Sequence, residues 1–70
     1  MKAHTIHELR TLAETLERVA YGLSDPARGG AMTMSAYVAA DAISRATRDI
    51  RIIARKGEEE NERQARKELE

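Results

Sequence analysis

The stretch SDPARGGAMTMSAY, Ser24 to Tyr37, lies between two segments of helical periodicity and decides how they relate. It holds the chain's only proline, Pro26, the adjacent glycines Gly29 and Gly30, and Arg28. Proline inside a helix removes a backbone donor and clashes with the preceding turn, so one helix does not run through this stretch. Gly22, just upstream, offers a left-handed stop. Thr33 or Ser35 offers an N-cap for whatever follows. The reading is helix, bend, helix. At about ten residues the bend exceeds the usual 2–8 of helix–helix connections. An antiparallel hairpin is the simplest outcome.

Upstream, Thr5 and Glu8 have the spacing of a capping box, which predicts a helix from Ile6 to about Gly22. Its apolar positions are Ile6, Leu9, Ala13, Leu16, Ala20 and Leu23, in steps of three and four, with Leu12 and Val19 widening the stripe. Downstream, Ala39, Ile43, Ala46, Ile50 and Ile53 repeat in steps of four and three, which predicts a second helix over about 34–56. On both helices Ala alternates with Leu or Ile, a pattern suited to close, coiled-coil-like packing. After Ile53 this seam stops. The segment KGEEENERQARKELE is charged throughout and is expected to extend the helix into solvent or to fray from Gly57. No segment alternates with a period of two, so no sheet is expected.

The expected fold class is therefore all-α: a two-helix hairpin over residues 1–57, with a loop at about 23–33, and a charged extension or frayed tail over 58–70. Size argues for a second step. Seventy residues with no Cys, Phe or Trp offer few large aliphatic side chains. Burying each contributes about 1.5–3 kcal/mol, while fixing each backbone residue costs about 1–2 kcal/mol. A lone chain falls short, so dimerisation into a four-helix bundle is expected.

Composition bounds the function classes. Net charge is zero, which argues against a wholly basic nucleic-acid coat. No segment approaches the roughly 18 apolar residues of a membrane span, and no signal-peptide pattern is present. Absence of Cys excludes thiol and disulfide chemistry and is compatible with the cytoplasm. Ser24, Ser35 and Ser44 have no evident His-and-carboxylate arrangement, and both His lie near the N-terminus. A non-enzymatic protein without a cofactor is expected.

Four features are candidates for function. His4, His7 and Glu8 have a spacing that brings ligands together on a helix, yet no further His or Cys completes a metal site, and helix-start residues are the plainer reading. Arg28, Gly29 and Gly30, followed by a helix N-terminus, have the ingredients of an anion site. They lack the Lys-Ser/Thr ending and preceding strand of a P-loop, and an ordinary bend uses the same residues. Arg45, Arg48, Arg51, Arg55 and Lys56 form a basic cluster with one interspersed acid, Asp49. It suits an acidic protein face or a phosphate backbone, or is simply a solvated face. Lack of interleaved Phe or Trp disfavours recognition of single strands. Met34, Tyr37, Val38 and Ile52 form a second apolar strip, expected to contact another subunit or partner.

The Ala/Leu layering and the size resemble the hairpin subunit of the Rop family, dimeric four-helix bundles that bind paired RNA loops. The resemblance is architectural: the loop here is longer, and no Rop binding residue aligns. The expectation is thus a homodimeric helical protein that binds another protein, in the manner of a phage or mobile-element accessory protein inhibiting a host factor. The rival readings are a Rop-like nucleic-acid-binding bundle, an oligomer sequestering a phosphorylated small molecule at the loop, and a structural assembly subunit.

Overall fold

The computed structural model describes residues 1–69; Glu70 lies outside the described residues. Two helices, α1 (Ala3–Leu23) and α2 (Met34–Leu69), pack along one another, joined by a single 3-10 turn at Pro26–Arg28. No strand occurs among the described residues. The all-helical hairpin is the architecture the two periodic segments predict. Its greatest extent, 56 Å, is the length of α2: 36 residues rise about 54 Å.

The elements differ from the sequence reading at their ends. α1 begins at Ala3, with an extended Lys2 as its N-cap and no side-chain cap. The Thr5 capping box does not form, because the Thr5 and Ile6 amides already donate to the Lys2 carbonyl, at 3.1 and 3.2 Å. Gly22 is not a left-handed stop; the only positive φ among the described residues is at Gly29, 87°. At the start of α2, Thr33 is the cap: its Oγ1 accepts from the Ala36 amide at 3.1 Å. The charged segment after Gly57 is helical through Leu69.

The seam of α1 is as its period predicts. Ile6, Ala13 and Ala20 are buried, and Leu9, Leu16 and Leu23 flank them, half-buried. On α2 the inner face is rotated from the predicted one. Thr47, Ala54 and Gly57 are buried, in line with half-buried Ala36, Ala40, Ile43, Ile50 and Asn61. Ala46 and Ile53, expected inside, are exposed. The cause is size. Along most of the line of closest approach, at Ala13, Ala20, Ala54 and Gly57, small residues let the backbones come together, while Leu and Ile flank it. Thr47 fits there because its hydroxyl donates to the Ile43 carbonyl at 2.9 Å, leaving no orphaned polar group.

The seam also continues past Ile53, contrary to the sequence reading. Gly57 is buried beneath Met1, and Asn61 holds the chain start: its Nδ2 donates to the Met1 carbonyl at 2.6 Å, and its Oδ1 accepts from the Met1 ammonium at 3.2 Å. The three atoms nearest to a Cβ at Gly57 would all belong to the Met1 side chain, with Sδ at 3.0 Å. That side chain is flexible and terminal. Glycine inside a helix costs roughly 0.5–1 kcal/mol relative to alanine. Gly57→Ala is therefore expected to stabilise the protein by about 0.5 kcal/mol, buried though the position is. Urea unfolding followed by circular dichroism checks this, and a lowered midpoint would show that Met1 cannot give way.

Candidate functional site

Two ion pairs bridge the helices and set their register. Arg10 pairs with Glu58 at 2.6 Å, and Arg51 pairs with Glu17. In both pairs the residue numbers sum to 68, so position i of α1 lies beside position 68 − i of α2. All four residues project from the same side of the seam, with Glu14, Tyr21, Ser44 and Arg55 around them. This side is polar.

The opposite side is apolar, as the same helical geometry requires. On α1 it presents Leu9, Leu12, Leu16, Val19 and Leu23; on α2, Ala39, Ala46, Ile50 and Ile53. Leu12, Val19 and Ile53 are 47%, 46% and 50% exposed, and no large side chain anywhere among the described residues is fully buried. The stripe read from the sequence as the inner seam of α2 is thus largely the border of this open face. Sequence reasoning missed the face. A signal was present: Leu9, Leu12, Leu16, Val19 and Leu23 repeat in steps of three and four alongside the Ile6, Ala13, Ala20 line.

The basic cluster lies around the outward side of α2. Arg51, Arg48 and Arg55 surround Ile52 and Ser44 in a shallow depression. Three of its members are engaged with carboxylates: Arg51 with Glu17, Arg45 with Asp41 at 3.0 Å, and Arg55 with Glu59 at 3.6 Å. Among the described residues Arg48 and Lys56 make no ion pair. The strip of Met34, Tyr37, Val38 and Ile52 is exposed along its length, Met34 most of all at 78%. Its first three residues lie where α2 runs beyond the end of α1, so no part of α1 covers them.

The loop is organised by Asp25, which the sequence reading did not single out. Its Oδ1 accepts from the Ala27 amide at 3.0 Å, and its carbonyl accepts from the Arg28 and Gly30 amides at 3.0 and 2.9 Å. The Gly29 amide donates to Pro26 at 3.2 Å, and the Ala31 amide to the Leu23 carbonyl at 3.0 Å, closing the end of α1. Every amide from Ala27 to Ala31 is thus used within the bend. Arg28 remains exposed, with Nε 3.5 Å from Asp25 Oδ2. Arg28→Ala is expected to change stability by less than about 0.5 kcal/mol, the range of surface substitutions. Thermal denaturation measures it. A large loss would give the Asp25–Arg28 pair a structural role it does not have here.

His4, His7 and Glu8 gather no further ligand: no group of three or more His, Cys, Asp or Glu placed to hold a metal occurs among the described residues. No described helix is long and apolar enough to cross a membrane. No protein-family model, curated protein or solved structure matches the chain.

Proposed function

We propose that the protein is a non-enzymatic helical binding protein that acts as a homodimer, a four-helix bundle of two hairpins, and engages another protein. The observation that carries this is the unfinished core. The hairpin buries Ile6 and five small residues at its centre and leaves its other large aliphatic side chains partly or wholly in water. A chain of this size needs that apolar area to offset the entropy of ordering its backbone. Self-association supplies it.

A protein partner is favoured over nucleic acid by the state of the basic cluster. Arg45, Arg51 and Arg55 already face carboxylates, and neutralising a phosphate backbone would require giving those up. The exposed Met34, Tyr37 and Val38, with Ile52 beside Arg48 further along the helix, have the mixed apolar and arginine character of a protein-binding surface. An accessory protein that inhibits a cytoplasmic host factor by direct binding fits this description.

Sedimentation equilibrium at micromolar concentration is the test of self-association, with a mass of twice 7.8 kDa expected. A folded monomer at every concentration would remove the reading. Partner class is tested by titration at low salt against duplex RNA and DNA. Binding that falls steeply with salt, and is flattened by replacing Arg48, Arg51 and Arg55 with Gln, would replace the protein partner with a nucleic acid.

A further inference from the structure

The open apolar face has an internal symmetry that identifies its occupant. On α1 the stripe Leu9, Leu12, Leu16, Val19, Leu23 is nearly symmetric about Leu16. On α2 Ile50 and Ile53, the two large residues of that face, flank the point between Arg51 and Ile52, which is also the midpoint of the helix Met34–Leu69. By the ion-pair register, that midpoint lies beside the point between Leu16 and Glu17 of α1. The two centres coincide to within one residue, about 1.5 Å. One two-fold axis, perpendicular to the helices at this level, satisfies both stripes.

We infer that this face is covered by a second copy of the chain, lying antiparallel with its loop at the opposite end, so that α1 packs on α1 and α2 on α2. The inference rests on the dimer reading and assigns its interface and direction. Leu16 then meets the partner's Leu16, and Leu12 lies beside the partner's Val19. Ile50 lies beside the partner's Ile53. The two α2 helices overlap over their whole length. The α1 helices overlap over residues 9–23 and the α2 helices over all 36, so at about 1.5 Å rise and about 10 Å width the footprint is about 770 Å² per copy, or about 1,500 Å² in all, the size of a standard stable interface.

Charge at the rim selects this direction over the alternative. Asp49 and Lys56 flank the face on the outer edge of α2, one heptad apart and opposite in sign. In the antiparallel arrangement Asp49 comes within reach of the partner's Lys56, twice over. With both loops at one end, α1 would instead lie on the partner's α2, and the same register would set Glu8 beside the partner's Glu60, like against like. The ion-paired side, with Arg51–Glu17 and Arg10–Glu58, stays in water in either case.

The chain has no Cys, so single cysteines report the interface directly. Leu16→Cys sits at the axis and should oxidise to a disulfide-linked dimer roughly a hundredfold faster than Val38→Cys on the outer strip, because held side chains meet at millimolar effective concentration. An equimolar mixture of Leu12→Cys and Val19→Cys chains should give the mixed disulfide at a comparable rate. Each sample is first sedimented. A dimer in which neither of these links forms, or in which Val38→Cys links faster, overturns the assigned face and direction while leaving self-association standing. A mixture that links while Leu16→Cys does not still supports the antiparallel face. Monomers in sedimentation overturn both.

Discussion

Replacing Ala54 by Asp should unfold the protein at micromolar concentration, with loss of most of its helical circular dichroism. Ala54 is 0% exposed and sits on the line where the two helices approach most closely. An aspartate there has no cation on the seam to pair with, and burying an unpaired carboxylate costs several kcal/mol. That is comparable to the whole stability of a domain this small. Ala54→Ser is the matched control. Its hydroxyl can donate to the carbonyl four residues back, as Thr47 does on the same line, so the loss should stay below about 1.5 kcal/mol. Urea titrations of the two variants separate the outcomes. An Ala54→Asp protein as helical and as resistant as the parent would mean that the hairpin does not close on this line.

The second large effect is expected at Gly30. A Cβ there would overlap the carbonyl oxygens of Gly22 and Leu23 and stand 2.6 Å from the Leu23 carbonyl carbon. These are backbone atoms of the last turn of α1, and they cannot rotate away. Gly30→Ala should therefore cost about 2–4 kcal/mol, by prising the bend off the helix end and breaking the Ala31-to-Leu23 hydrogen bond. Gly29→Ala should cost less, about 1–2 kcal/mol, since nothing crowds the position and the penalty is only that of a left-handed backbone at φ 87°. Thermal denaturation of both gives the ranking. Equal effects would show that close approach at Gly30 does not shape the bend.

The hairpin was legible because Pro26 and the two glycines interrupt an otherwise continuous helical pattern, and because the stripe of α1 is ordered by period alone. The inner face of α2 was not. Hydrophobicity points to Ile53 and Ala46, whereas the packing selects Ala54 and Gly57, which are small, and Thr47, whose hydroxyl is satisfied within its own helix. A residue's affinity for oil and its permission to lie between two backbones are different properties, and only the first is read from a transfer scale. Gly57 was read as a place to fray. It is in fact where Met1 docks, a contact across most of the chain that no local pattern announces. The basic cluster was visible, but its partners were not. Arg51 reaches Glu17 across the seam, and Arg55 takes Glu59, which sequence spacing equally offered to Arg63. Asp25 went unnoticed because its role lies in turn hydrogen bonds rather than in charge.

The register of the two helices also orders the events of folding. Thr47 lies beside the last buried residue of α1, Ala20, while Ala54 lies beside Ala13 and Asn61 beside Ile6, each step closing a longer loop. Loop-closure entropy grows with length, by about 0.6 kcal/mol per doubling, so the seam should zip from the bend outward. The Met1–Asn61 clasp then forms last and opens first. Amide hydrogen exchange should record this as a gradient, with protection along α1 rising from the N-terminal turn toward Ala20.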